Sequence, residues 1–209
     1  MDRARVLETI AAVGSRIDRE KEYLTALDQP IGDSDHGINL DRGFKAVVQK
    51  LPSMENKDVG AILKDVGMTL VSTVGGASGP LYGSAFLKAG AAVAGKDAID
   101  MEDFLLLLEA AVEAVKARGK AQVEEATMLD AMVPSLEAMK EAAGQGKSAG
   151  EMLDLGVEAA FKGAEHTRDL IATKGRASYV GERGLGHQDP GATSYAMMLE
   201  TVRDMAGNR

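Results

Sequence analysis

Three aspartates, Asp28, Asp33 and Asp35, crowd the stretch LDQPIGDSDHGINLDRG, which runs from Leu27 to Gly43 and is punctuated by Pro30, Gly32 and Gly37. Carboxylates held this close repel one another, and burial drives them to neutralise, unless a hard cation takes their oxygens and gains from the crowding. The stretch therefore reads as a metal site. An acidic capping loop is the simpler alternative, with Asp35 as N-cap of a helix starting at His36 or Gly37, but it employs only one of the three carboxylates.

A second stretch, Gly75-Gly76-Ala77-Ser78-Gly79-Pro80, has the glycines that let backbone approach phosphate oxygens and the successive N–H groups that cradle them. Alone, it reads more economically as a tight helix-to-helix turn. Lys174, Arg176 and Arg183 place cations in a segment longer than a compact domain usually keeps without purpose. Arg176 or Arg183 suits stabilisation of charge on a transferring phosphoryl group, though any one of them is also at home in a solvated loop. His36 and His187 could touch phosphate or orient carboxylates, but lone loop histidines are more often ordinary hydrogen-bonding residues, and the two are not spaced as a transition-metal pair. Met128 and Leu129 could wall an adenine or simply fill the core. No Walker motif and no serine nucleophile elbow occurs.

These residues need elements to hold them. The chain has 209 residues, enough for one domain with a sizeable core, with 45% hydrophobic but only 4% aromatic residues, 11 Met and no Trp. Ala, Leu, Met and Val must do the packing, which favours closely approaching helices over a sheet. A formal charge of −8 disfavours nucleic acid as a partner. The absence of cysteine excludes disulfides and thiolate metal sites. The charged N-terminal stretch lacks a signal-peptide core and nothing approaches a membrane span, so a cytoplasmic protein without membrane contact is expected.

Hydrophobic spacing predicts eight helices and no strand. Helix 1 spans about 2–27, helix 2 follows Asp35, and helix 3 covers about 57–73. Helix 4 opens with Ser78 or Gly79 as N-cap and Pro80 as its first residue. Helix 5 begins at Asp100 with Asp103 completing a capping box, and Gly119 ends it. Helix 6 opens at Thr127 and contains Pro134. Helix 7 pairs Ser148 with Glu151, reaches to Thr173 and is capped by Lys174 and Gly175. Helix 8 follows Asp189 as N-cap, with Pro190 first, and ends near Ala206. All the unusual loops precede even-numbered helices, and in an up-and-down bundle those start at the same end. Four helix N-termini would then point free N–H groups at one rim, which attracts anions.

With these residues in view, the chain resembles the nucleotide-binding L subunit of the dihydroxyacetone kinases that draw phosphate from the phosphoenolpyruvate phosphotransferase system. IGDSDHG, MTLVSTVGGASGPLYGSAF, RGKAQV and KGRASYVGERGLGHQDPGATS stand in that family's order and span nearly the whole chain. The resemblance implies an all-α, eight-helix antiparallel up-and-down barrel, a single domain over residues 1–209, with a nucleotide at one rim. It implies that Asp28, Asp33 and Asp35 bind two Mg²⁺ ions bridging to the diphosphate. His36, Gly37, Ile38, Asn39, Ala77, Ser78, Gly119, Met128, Arg176, Asp189, Pro190 and Gly191 would surround ADP or ATP, with Arg176 catalytic. In the family, ADP is a held coenzyme: a phosphohistidine carrier, the M subunit, rephosphorylates it, and the ATP phosphorylates dihydroxyacetone bound on a K subunit. Related readings are a kinase that exchanges free ATP and acts on a similar small ketose, and an ADP-loaded module that binds a transcription regulator. This chain departs at Glu124-Glu125-Ala126-Thr127-Met128, where the family often reads Gly-Asp/Glu-Lys-Thr-Met. A glycine and a lysine are missing there, and Gly184 stands where serine is common.

Overall fold

The computed structural model describes residues 1–207. Among them the chain forms eight α-helices and no strand: α1 Arg3–Asp28, α2 His36–Lys50, α3 Val59–Thr73, α4 Ser78–Ala92, α5 Met101–Gly119, α6 Leu129–Gly144, α7 Ala149–His166 and α8 Pro190–Gly207. Each helix packs on the next in sequence, and α8 returns to lie against α1, so the order of contacts closes on itself. The core is aliphatic, with Ile17, Leu24, Leu40, Phe44, Ile62, Leu70, Leu129 and Met139 fully buried. No helix among the described residues is long and apolar enough to cross a membrane.

Glycines let α3 and α4 pack closely. A Cβ on Gly60 would lie 2.6 Å from the Gly90 carbonyl oxygen, and one on Gly67 would lie 2.8 Å from that of Gly83. Helices α3 and α4 therefore meet backbone to backbone, and the turn between them is the glycine-rich stretch. At α6, Pro134 cannot donate to the carbonyl of Asp130, four residues back. Gly163 of α7 packs against that carbonyl, where a Cβ would come within 1.9 Å of the oxygen.

Four expected boundaries are corrected. Helix α4 starts at Ser78 with Ala77 in the N-cap position, so Pro80 is the third residue, still inside the first turn where no N–H is required. Helix α6 starts at Leu129 rather than Thr127. Helix α7 ends at His166 and not at Thr173, because the chain tightens into a short 3-10 turn, Thr167–Asp169, and then becomes extended at Leu170. Gly175 does not cap α7; at φ +61° it opens a separate 3-10 turn, Arg176–Tyr179.

The helix ends divide by parity. Helices α1, α3, α5 and α7 are capped by their own N-cap side chains, Asp2, Asp58, Asp100 and Ser148, the last two in full capping boxes. At α2, α4 and α6 the N-cap residues Asp35, Ala77 and Met128 make no such bond.

Candidate functional site

The N-termini of α2, α4, α6 and α8 meet around one cavity of about 510 Å³. Asp28, Asp33, Asp35, His36, Ala77, Ser78, Gly119, Met128, Arg176, Asp189, Pro190 and Gly191 all line it. Three of the expected site residues do not. Gly37 is packed against the Lys21 carbonyl, Ile38 points its side chain outward at 55% exposure, and Asn39 is buried beside Gly75, its Oδ1 accepting from Arg42 at 2.7 Å. Lys174 and Leu129 line the cavity as well. Arg183 does not, and His187 and Gly184 border a smaller adjoining space.

The carboxylates converge: Asp28, Asp33 and Asp35 can each offer an oxygen within 4.8 Å of the others. Asp28, at the end of α1, is buried and organises the loop, with one carboxylate oxygen accepting from the backbone N–H of Asp35 at 2.9 Å and of His36 at 3.2 Å. Gly32 is indispensable to this turn, since a Cβ there would come within 1.9 Å of the Asp28 carboxylate. Ser34 takes φ +60°, an uncommon conformation for a residue with a Cβ, and so aims its two neighbours at the same point. Burial, with the charges of Asp33 and Asp28, pushes Asp35 above the usual carboxylate range, opposed by a bond from Asn39. Asp35 does not cap α2 with its side chain, which leaves the carboxylate for a cation. The Arg176 guanidinium reaches over from the 3-10 turn and pairs with Asp33, Nε to Oδ2, at 2.8 Å.

Opposite the carboxylates lies the turn between α3 and α4. Among the described residues, no protein acceptor takes the N–H of Gly76, Ala77, Ser78 or Gly79. Gly76 sits at φ +65° with open space where a Cβ would be. Free N–H groups at a helix N-terminus favour an anion. The fourth wall is Asp189, the N-cap of α8, whose Oδ2 accepts from Ala192 N–H at 2.6 Å. Burial, with the charges of Asp130 and Asp28 adding, raises its carboxyl to about 7.

Two residues of the cavity region had not been singled out. Tyr82 and Ser194 join His36 and Ser78 in a buried chain of hydrogen bonds that links α2, α4 and α8. The signal was present as spacing: Tyr82 stands four residues after Ser78 and Ser194 four after Pro190, on the same faces of their helices. Burial also holds the His36 imidazole down at about 4, so the ring is neutral. Leu81 and Val115 complete an apolar wall beside Met128.

The loop before α6 turns through two residues with positive φ, neither of them glycine. Glu124 and Ala126 take φ +67° and +53°, and the Asp130 carboxylate holds the turn by accepting from Glu124 N–H at 2.5 Å and Thr127 N–H at 2.7 Å. The Glu124 side chain turns away from the cavity to His166 at 3.1 Å. Glu125 ties down Lys174 at 3.3 Å.

An all-helical domain with a carboxylate trio facing unpaired helix N–H groups across one cavity has the chemistry for a polyphosphate with its metal. The chain belongs to the DAK2 domain family, whose model matches residues 30–204. It is 42% identical over 202 residues to the ADP-binding subunit DhaL of the PEP-dependent dihydroxyacetone kinase of Escherichia coli K12, covering 97% of this chain and 96% of that one. Identity to the ADP-binding subunit DhaL of the PTS-dependent dihydroxyacetone kinase of Lactococcus lactis is 42% over 199 residues, with 95% of both chains covered. The fold also matches a crystal structure of the dihydroxyacetone kinase from C. freundii in complex with AMP-PNP and Mg²⁺, at TM-score 0.73 and 24% identity. That match covers 98% of this chain and 34% of the longer one.

Proposed function

We propose that this chain is the ADP-binding subunit of a dihydroxyacetone kinase fed by the phosphotransferase system, a phosphotransferase working in the cytoplasm. The observation that carries this reading is the facing pair: three carboxylates within 4.8 Å on one wall and the uncapped, glycine-rich start of α4 on the other. A diphosphate with a hard cation satisfies both, and neither wall alone needs it. The near full-length likeness to two DhaL subunits supports the choice of ADP.

Asp28, Asp33 and Asp35 would hold Mg²⁺, two ions as the resemblance implies. A divalent cation held by these carboxylates would supply neutralisation of phosphate charge. The chain's own groups do the rest. The N–H groups of Gly76 to Gly79 and the Ser78 hydroxyl would grip phosphate oxygens. Met128, Leu81 and Val115 would cover the adenine and keep water from it. Arg176 would give its guanidinium to the phosphoryl group in flight, where charge stabilisation matters most. Gly37, Ile38 and Asn39 would act through the backbone and through Asn39 against Gly75. No protein nucleophile is required, so the work is positioning and electrostatics.

The donor would be a phosphohistidine carrier and the acceptor dihydroxyacetone on a partner K subunit. Protein purified without added nucleotide is examined by native mass spectrometry, and the released ligand identified after denaturation. Co-purifying ADP with about two Mg²⁺ supports the held coenzyme. Turnover with the K partner should then require the phosphorylated carrier. Turnover on ATP alone would replace this reading with an exchanging kinase, and protein that takes up no adenine nucleotide would overturn it.

A further inference from the structure

The buried chain beneath the rim restricts where one proton can sit. His36 Nδ1 lies 3.0 Å from Ser78 Oγ and Nε2 lies 2.9 Å from Ser194 Oγ. The ring is buried and both its nitrogens meet serine hydroxyls rather than carboxylates, the setting of a neutral imidazole with one N–H and one lone pair, so one serine must donate to the ring and the other must accept from it. Ser194 Oγ is 2.7 Å from the Tyr82 hydroxyl and 3.1 Å from the Gly191 carbonyl oxygen. Among the described residues, the Tyr82 hydroxyl bonds with Ser194 Oγ and, at 3.3 Å, with the Gly191 carbonyl oxygen, and no other partner is found.

The two ring tautomers give the serines opposite roles. In the first, Ser194 donates to the Gly191 carbonyl and accepts from Nε2–H. Nδ1 then accepts the Ser78 proton, and Ser78 turns only lone pairs toward the cavity. In the second, Tyr82 donates to Ser194, Ser194 donates to Nε2, and Nδ1–H donates to Ser78. Ser78 now keeps its proton for a group in the cavity. In that second chain the protons run one way, from Tyr82 through Ser194 to the ring, and Ser194 both accepts and donates, which strengthens its bonds. An oxyanion next to Ser78 is repelled by the first arrangement and bonded by the second.

We propose that the Nδ1–H tautomer of His36 is the form that binds the phosphate oxygen at Ser78, with Ser194 and Tyr82 as the positioning residues that hold it. The ring stays neutral: a proton leaves Nε2 as one joins Nδ1, with no net uptake. This rests on the proposed ADP site. It also ties α8 to the ligand indirectly, through Ser194 and the His36 ring, although Ser194 itself does not line the cavity.

The test is two-bond ¹⁵N–¹H NMR on protein with labelled histidine, in which the chain's three histidines are resolved by substitution. Spectra are recorded with and without ADP and Mg²⁺. The expected result is His36 protonated on Nδ1 alone in the bound protein. Tyr82→Phe removes the donor that feeds Ser194 in the second arrangement and should move population to Nε2–H while weakening ADP about tenfold, the value of one hydrogen bond to a charged group. Ser78→Ala should weaken ADP comparably and abolish the effect of ADP on the tautomer. A bound protein that carries the proton on Nε2, or on both nitrogens, overturns the proposal and leaves the ADP site standing. Failure to bind ADP overturns the site and the proposal together.

Discussion

The three aspartates share one motif but not one task. Asp28 is buried and accepts two backbone N–H bonds, so it holds the loop as well as facing the cavity, whereas Asp33 is exposed and pairs with Arg176. Asp28→Asn should therefore destabilise the fold by about 1–3 kcal/mol, the cost of disturbing buried acceptors, in addition to losing metal-dependent ADP binding. Asp33→Asn should lose that binding with an unchanged denaturation midpoint; equal destabilisation of the two variants would refute the distinction. Arg176→Gln is expected to slow phosphoryl transfer by ~10³-fold, in the range an arginine contributes in other phosphotransferases. Its ADP affinity, read by calorimetry, should stay within a few-fold, and a parallel loss of affinity would mark Arg176 as a binding residue instead.

At the scale of elements, the way helices begin carries the functional information. Odd helices close their first turns with the side chains of their N-cap residues, whereas the N-cap residues of three of the four even ones make no such bond, and at α4 the first N–H groups are left to the cavity. Helix α8 is the exception, capped by Asp189, whose carboxyl is raised to about 7 by burial. A carboxyl raised above its unfolded value of about 3.9 binds a proton in the folded state that the unfolded chain has released. Its contribution to stability is complete below pH 4 and is lost as pH rises through about 7. Asp189→Asn should remove that decline, so that variant and parent, both free of metal and nucleotide, differ most in slope between pH 4 and 7. Parallel stability profiles would show that Asp189 titrates normally. On the loop before α6, Glu124 raises the His166 imidazole above its usual range. Glu124→Gln should bring that value down, measured by NMR titration, and the stabilising pair should fade in the parent as pH rises through the raised value. An unmoved His166 would mean that Glu124, despite its φ of +67°, is held by Asp130 alone.

Across the whole molecule, a ligand gripped by the starts of α2, α4, α6 and α8 crosslinks helices far apart in sequence. ADP with Mg²⁺ at 100 times its dissociation constant should add about 2.7 kcal/mol to stability, which in a chain of this size raises the melting temperature by about 5–10 °C. Differential scanning fluorimetry would measure it. ADP without a divalent ion should give a much smaller shift, because the carboxylate wall then repels the diphosphate. A shift independent of metal would place the nucleotide away from Asp28, Asp33 and Asp35.

The helices and their order were legible in the amino-acid sequence, because an apolar period of 3.6 residues and capping residues such as Asp100, Ser148 and Asp189 are local signals. So was the trio of aspartates, since like charges that close in sequence require a reason. The end of α7 at His166 was not legible: its apolar period runs on, and it is the buried Thr167, bonded to the Asp189 N–H from across the chain, that turns it. Nor did sequence reveal that Ser78 forgoes capping its own helix to meet His36, or that Tyr82 and Ser194 stand behind that histidine. Those bonds join residues up to 158 positions apart. Periodicity says which face of a helix is buried, while only the packing of one helix on another decides which side chain it is buried against.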